Sequence, residues 1–285
     1  MVAKTKPATN PLKKSGTSFE WKIDCYEGCE HGCLYCYAWW IKSHTNWKRN
    51  QKWIPYSDWI NSTPIVNLVS DLRSQLNSMQ DSTRAGIKDI FVSSLTDCYQ
   101  PLESQHRITR QVIKILIENE LPFTILTKNK SVLDDIDLFT GYDKCRVGLT
   151  IVTLDDKLRQ MLEPNSSPIT DRIDTLKQLR RAGISTYCSI EPILPDERSN
   201  PFAIVDTLQD YVDLFEFGMW NPKRNSQLEV ERVLGTQYDP NYFVDVFKRV
   251  NDYKHITYCH ASHSKDFLEQ HGMKFIPYPT VYQGE

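Results

Sequence analysis

The sequence predicts an α/β protein: a partial (β/α)6, TIM-like barrel with a parallel sheet, folded as a single domain. Three observations predict it. Short apolar runs of strand type alternate about six times with helix-type patterns across short connections, as crossover-linked parallel strands do. No Gly-x-Gly-x-x-Gly follows any of these runs, so a dinucleotide-binding sheet lacks its fingerprint. The C-terminal ends of the runs, where a β/α barrel carries its functional groups, hold Ser94-Leu95-Thr96-Asp97, Thr127-Lys128-Asn129, Thr150, Glu191 and Gly218-Met219-Trp220. Six units rather than eight argue for an open barrel.

The elements follow in order. Residues 1–16, with Lys4, Lys6, Lys13 and Lys14 beside Pro7 and Pro11, read as a flexible basic arm. Phe19, Trp21 and Ile23 alternate with polar residues as a first strand does. Residues 37–60 interleave Trp39, Trp40, Trp47, Trp53 and Trp59 with Lys42, His44, Lys48, Arg49 and Lys52. That mixture suits stacking and phosphate pairing with single-stranded nucleic acid. It equally suits tryptophans packed under a long loop with the charges in water. Ile65, Leu68, Val69, Leu72 and Leu76 are spaced as one face of a helix, with Pro64 suited to its first turn. Strands are expected at 89–95, 122–127, 146–152, 184–191 and 212–218. Helices are expected at 103–119, 131–139, 168–182 (closed by Gly183) and 201–210. Residues 221–238, polar with Pro222 and Gly235, read as a loop able to act as a lid. A helix over 240–253, a short strand at 256–259, a helix over 262–271 and Met273-Lys274-Phe275-Ile276 complete the same domain, which runs from residue 17 to 285.

Composition sets limits. The chain has 285 residues, a formal net charge of −2 and 40% hydrophobic content. This is ordinary for a globular protein, and bulk charge gives no argument for nucleic acid. No stretch approaches the ~20 apolar residues of a membrane span. The opening Met-Val-Ala-Lys-Thr-Lys lacks an apolar signal core. A cytoplasmic setting is expected, where thiols stay reduced and cysteines serve metals or catalysis.

Four of the eight cysteines, Cys25, Cys29, Cys33 and Cys36, fall within twelve residues. Read from Cys29 the spacing is Cys-x-x-x-Cys-x-x-Cys, with Tyr35 just before the last cysteine. Gly28 and Gly32 let such a loop wrap closely. Thiolates are the usual ligands of iron–sulfur clusters, and three of them leave one iron of a four-iron cluster open to chelate a small molecule. The alternative is a four-cysteine zinc site that includes Cys25, in a non-catalytic, zinc-stabilised nucleic-acid-binding module. Disulfides are a weaker reading, because nothing suggests export.

The cysteine motif resembles that of the radical S-adenosylmethionine (SAM) superfamily. The strings Glu-Gly-Cys-Glu-His-Gly-Cys-Leu-Tyr-Cys-Tyr-Ala (27–38), Thr-Asp-Cys-Tyr-Gln-Pro-Leu-Glu (96–103), Leu-Thr-Lys-Asn (126–129), Leu-Glu-Pro-Asn-Ser-Ser-Pro (162–168) and Ser-Ile-Glu-Pro-Ile-Leu-Pro (189–195) narrow the resemblance to its spore photoproduct lyase-like branch. They run in order over roughly residues 19 to 200. The resemblance implies a [4Fe–4S] cluster on Cys29, Cys33 and Cys36, whose open iron binds the amino and carboxylate groups of SAM. It implies that Tyr35 lies beside the adenine, that Lys128 pairs with the SAM carboxylate, and that Thr96 and Thr150 also contact SAM. A low-potential electron donor of flavodoxin or ferredoxin type would feed the cluster. SAM would be cleaved reductively, and the resulting radical would take a hydrogen atom from a substrate at the barrel mouth. The tryptophan-rich stretch leans that substrate toward nucleic acid, as in DNA lesion repair or nucleic-acid modification.

One departure bears on the reaction. The lyase carries a hydrogen-donating cysteine where this chain has Ser94. A serine O–H bond is far too strong to replace it. Cys98 and Cys188 are the candidate substitutes, while Cys145 and Cys259 read as small buried apolar residues. Separately, His260 and His263 stand at a strand-to-helix junction suited to a metal or a phosphate, or to a polar cap with Ser262 or Ser264. Motifs for nucleotide hydrolysis and acyl transfer are absent.

Overall fold

The computed structural model describes residues 10–15, 19–221, 224–253 and 255–280. Seven strands of one sheet run parallel: β1 (Trp21–Ile23), β2 (Ile90–Val92), β3 (Phe123–Thr127), β4 (Cys145–Thr150), β5 (Ser185–Ile193), β6 (Leu214–Met219) and β7 (Tyr258–His260). Their order in the sheet is their order in the chain, so each crossover steps to the next position in one direction. That is how a barrel is wound, and here it stays open. The short strand expected at 256–259 is β7, which adds a seventh parallel strand to the six expected units. Among the described residues the α-helices of six or more residues are α1 (Tyr37–Lys48), α2 (Leu68–Ser78), α3 (Ile108–Glu118), α4 (Asp156–Leu162), α5 (Ile169–Arg181), α6 (Pro201–Leu208), α7 (Arg224–Leu234), α8 (Pro240–Asn251) and α9 (Lys265–Gln270).

Strand alternation divides the side chains into two layers. Ile90, Val92, Ile125, Val147, Leu149, Cys188, Ile190, Phe215 and Phe217 belong to the main core. That core includes Leu72 and Leu76 of α2, Val112 and Leu116 of α3, and Leu176 and Leu179 of α5. Each fully buried aliphatic or aromatic side chain contributes about 1.5–3 kcal/mol. The inner layer begins with a second cluster: Phe19, Phe91, Tyr187, Leu214, Cys259 and Tyr278. Phe19 stacks on Phe91 at 4.1 Å between centroids. Gly148 in β4 makes room for it, since a Cβ there would lie 2.2 Å from the Tyr187 ring. The chain after α9 seals this floor. Ile276 O accepts from His260 N at 2.8 Å, and Arg146 Nη1 donates to Pro279 O at 3.0 Å.

Local signals set the helix ends. Asn200 Oδ1 accepts from Phe202 N and Ala203 N and caps α6, with Pro201 at its first position. Gly183, at φ +76°, follows the end of α5. The loop expected at 221–238 is instead largely α7. Its Val230 and Leu234, four residues apart, are buried in the main core, which is the physical reason the segment is helical. Of the arm expected over 1–16, residues 1–9 and 16 lie outside the described residues. Lys13–Lys14 pairs antiparallel with Trp21–Lys22 at the sheet edge, and Leu12 is buried with its N–H on Gln75 Oε1 at 2.9 Å. No helix among the described residues is long and apolar enough to cross a membrane.

Candidate active site

The site is built on the loop between β1 and α1. Gly28, at φ +80°, is required there, because a Cβ would lie 2.4 Å from Trp59 O. The loop backbone is strapped from several directions. Cys29 N donates to Trp59 O at 2.9 Å, and Ser62 Oγ reaches the carbonyls of Glu27 and Gly28 at 3.1 Å. Glu30 N donates to Gln100 Oε1 at 2.8 Å, and Asn165 Nδ2 donates to Glu30 O at 2.7 Å. Tyr56 Oη donates to Cys33 O and Leu34 N to Leu162 O, both at 2.9 Å. Cys36 is the N-cap of α1, its Sγ accepting from Trp39 N at 3.5 Å. The positive end of that helix faces the sulfur and favours negative charge on it.

Cys29, Cys33 and Cys36 lie close together on this loop, each within electrostatic reach of the other two. Trp39, Trp59, Tyr56 and Leu95 pack around Cys29 and Cys36. Burial pushes the Cys29 thiol up to about 12 and raises Cys33 and Cys36 as well. Thiols so placed lose their protons when a metal centre supplies the compensating charge. The residues therefore fit a thiolate-bound cluster. Cys25 stands apart: it is fully buried in the main core, beside Glu103, Thr109 and Ser93. The four-cysteine zinc site is thus not assembled. Among the described residues no three His, Cys, Asp or Glu side chains close on a single ion. A cluster, by contrast, spreads its ligands over several irons.

Two buried networks hold the loop to the strand ends. Asp97 follows β2. Its carboxylate accepts from Thr127 Oγ1 at 2.6 Å, Lys128 N at 2.8 Å and Tyr99 N at 2.9 Å, and it faces His31 Nε2 at 3.1 Å. Burial alone would raise its carboxyl, but His31, Thr127 and Lys128 together hold it at about 2. His31 Nδ1 lies 3.0 Å from Asn165 O, so this imidazole ties the cysteine loop to the segment after α4. In the second network Tyr35 Oη donates to Glu163, which pairs with Arg172. Arg172 Nη1 donates to Thr150 O at 2.8 Å and its Nε to Ser167 O at 2.9 Å. Glu163 and Arg172 are fully buried. Burial works against the Glu163 charge, but Arg172 and Lys128 keep its carboxyl below the usual carboxylate range. Lys128 Nζ stands 5.8 Å from the Tyr35 ring centroid. Burial disfavours its ammonium too, while Cys33, Glu163 and Asp97 hold it above its ordinary value.

The structure thus brings Cys29, Cys33, Cys36, Tyr35 and Lys128 together, and links Thr150 to them through Arg172. Thr150 pairs in register with Ser189 on β5. Thr96 lines a cavity of about 350 Å³ with Asp24, Gly28, Lys42 and Trp59, and its buried Oγ1 has no hydrogen-bond partner among the described residues. The two candidate hydrogen donors are not brought in. Cys98 and Cys188 are fully buried in the main core, Cys98 beside Cys25 and Glu103. On β5, Tyr187 belongs to the floor cluster and Cys188 to the outer core, so the Cys188 thiol faces the helices. His260 and His263 do not form one site either. His260 is buried among Phe247, Tyr258 and Phe275, and burial lowers it to about 4. His263 Nδ1 lies 3.2 Å from Glu191 Oε1.

The tryptophan-rich stretch divides. Trp39 and Trp59 are buried beside the cysteines, Trp39 Nε1 donating to Ile54 O at 2.8 Å. Trp40, His44 and Trp47 stack along the face of α1 with centroids 4.8 and 5.7 Å apart, and Trp47 is 61% exposed. The sequence reading missed His31, Asp97, Glu163 and Arg172 as the scaffold of the site, and Glu216 altogether. The usable signal was acidic or basic residues inside otherwise apolar or turn-forming strings, such as Glu163 in Leu-Glu-Pro-Asn.

The sequence profile of the radical SAM superfamily matches residues 23–208, from the end of β1 to the end of α6. An uncharacterised protein of Methanocaldococcus jannaschii is 32% identical over 254 residues, 87% of this chain and 89% of its own. A protein of Pseudomonas phage M6, named radical SAM Nα-GlyT isomerase, is 25% identical over 167 residues, which are 59% of this chain and 32% of the isomerase. Among solved structures, a spore photoproduct lyase mutant with dinucleoside spore photoproduct shares the fold at a TM-score of 0.58 and 17% identity. That match covers 82% of this chain and 66% of the lyase, so the chain spans just under two thirds of the lyase's length. With the profile covering well over half of its residues, the chain belongs to the radical SAM superfamily of enzymes.

Proposed function

We propose that Cys29, Cys33 and Cys36 hold a [4Fe–4S] cluster, that Tyr35, Thr96, Lys128 and Thr150 contact SAM, and that the substrate is a nucleic acid. The observation that carries the cluster is the separation of the triad from Cys25: three thiols gather within electrostatic reach of one another on the loop after β1, and the fourth is buried in the main core. Held by these three cysteines, with SAM against Tyr35, Thr96, Lys128 and Thr150 and an electron donor of flavodoxin or ferredoxin type, the cluster would supply reductive radical chemistry for hydrogen-atom abstraction from the substrate.

The chain's own residues bind, orient and exclude water. Lys128 offers a fixed ammonium to a carboxylate. Glu163 holds the Tyr35 hydroxyl, so the ring keeps one orientation. Asp97 and His31 fix the loop that carries the thiols. The Phe19–Tyr278 floor closes the interior from below, shielding a reactive intermediate from solvent. Neither Cys98 nor Cys188 serves as hydrogen donor in this reading, since both are turned away from the interior.

Two observations favour nucleic acid: the dinucleoside held by the lyase of the same fold, and the Trp40–His44–Trp47 stack beside exposed Lys48, Arg49 and Lys52. The test is anaerobic. Reconstituted protein with dithionite and SAM should form 5′-deoxyadenosine and should bind a single-stranded oligonucleotide in gel-shift assays. Trp40→Ala with Trp47→Ala should weaken that binding at least tenfold. Failure to form 5′-deoxyadenosine, even with cell extract, would refute the radical reading. Undiminished oligonucleotide binding by the double variant, or none by the parent, would refute the nucleic-acid reading.

A further inference from the structure

Between the floor cluster and the cysteine pocket, the interior face of β5 and β6 carries chemistry that the roles above do not use. Tyr187, Ser189 and Glu191 share that face of β5, and Ser189 pairs in register with Glu216 of β6. Glu216 is 6% exposed, and its carboxyl is raised by burial first and then by Glu191. The position of Glu191 is built. Gly218 leaves the space it fills, since a Cβ there would lie 2.6 Å from Glu191 Cγ, and His263 Nδ1 stands 3.2 Å from Glu191 Oε1. His263 Nε2 is in turn held by Met219 O at 2.8 Å.

Two further groups point to a ligand. The Tyr187 hydroxyl is fully buried, lies within electrostatic reach of Glu216, and makes no hydrogen bond among the described residues. The Ser189 hydroxyl, also fully buried, leans toward Glu216 without reaching good hydrogen-bond geometry. Buried hydroxyls are ordinarily satisfied. Of the other charged and titratable groups nearby, His263 pairs with Glu191, and no cation pairs with Glu216 among the described residues. Arg146 lies deeper, against Tyr278 and Pro279 O. Cys259 pairs in register with Glu216 and is fully buried. Asp24 is a further acid toward the mouth, near the Tyr37 hydroxyl. That hydroxyl is also within reach of both Cys36 and Glu191, so the acidic pair adjoins the cysteine pocket.

We propose that Glu191 and Glu216, with the Ser189 and Tyr187 hydroxyls, form a receptor for a protonated primary amine on the reacting part of the substrate. An ammonium carries three donors and one positive charge. It would place a cation beside buried Glu216 and the half-buried Glu191–His263 pair, draw Glu216 into its ionised form, and satisfy the Ser189 and Tyr187 hydroxyls. The inference rests on the reading of the barrel interior as the substrate site, and it specifies the substrate as an amine-bearing nucleoside.

The test is calorimetric titration of the cluster-loaded protein with a thymidine dinucleotide carrying a 5-aminomethyl group on one base, against its 5-hydroxymethyl counterpart. The amine should bind at least tenfold more tightly. Glu191→Gln and Glu216→Gln should each reduce that preference below threefold, leaving the affinity for the hydroxymethyl dinucleotide within twofold. Equal affinities in the parent protein, or a preference kept by both variants, would overturn the proposal. If neither dinucleotide binds, the nucleic-acid reading fails, and 2-phenylethylamine against 2-phenylethanol decides the present inference alone. A preference for the amine that both variants lose would uphold it, and no preference would overturn it.

Discussion

Two buried acids near the strand ends meet opposite surroundings. Glu163 is fully buried, yet Arg172, Lys128 and Tyr35 answer its charge, and its carboxyl sits below the usual range. Glu216 is almost as buried but faces a second carboxylate, and it is pushed up to about 8. The first is framework: a completed ion pair that fixes Tyr35 beside the cysteines. The second keeps its proton near neutral pH because no cation pairs with it among the described residues, which is how a receptor carboxyl stands before a cationic ligand arrives. Perturbed carboxyls of this kind gather at functional sites.

The largest expected effect breaks the completed pair. Arg172→Met should destabilise the fold by about 3–5 kcal/mol, because it leaves Glu163 buried without a partner. Urea unfolding measures it, and a loss under about 1 kcal/mol would mean that Glu163 finds another cation. Asp97→Asn comes next, at about 2–3 kcal/mol near neutral pH, since several donors lose an ionised acceptor. Because the Asp97 carboxyl is depressed from 3.8 to about 2, its contribution is present above pH 3.8 and fades as pH falls toward 2. The parent and the variant should therefore converge in acid.

Glu216→Gln should act in the opposite direction. With the carboxyl raised from 4.5 to about 8, the folded state favours the protonated form. Its contribution is full below about pH 4.5 and is lost as pH rises through 8. The variant should hence melt above the parent at pH 8.5 and match it more closely at pH 5. A lower melting temperature at both pH values would erase the contrast with Glu163. The smallest effect on stability belongs to Trp47→Ala, within ~0.5 kcal/mol, since this ring is mostly exposed.

The barrel was legible because apolar runs and their strand-end residues recur at regular intervals. The cysteine triad was legible because its spacing is local. Direction was not. Cys188 looked as able to face the interior as Ser189, and only strand register separates the two. The tryptophans could not be sorted by composition: Trp39 and Trp59 pack on the cysteines while Trp47 faces water. The segment 221–238 looked polar enough for a loop, yet Val230 and Leu234 supply a narrow apolar stripe for a helix. His31 and Asn165, 134 residues apart in the chain, meet only through the wound sheet.

The central claim is that three of the four clustered cysteines, without Cys25, hold the metal centre. Iron, sulfide and zinc content of Cys25→Ala and Cys29→Ser, both purified without oxygen, tests it most directly. The account predicts about four irons and four sulfides per chain in Cys25→Ala, as in the parent, and their loss in Cys29→Ser. Zinc without sulfide in the parent, lost equally in both variants, would contradict it.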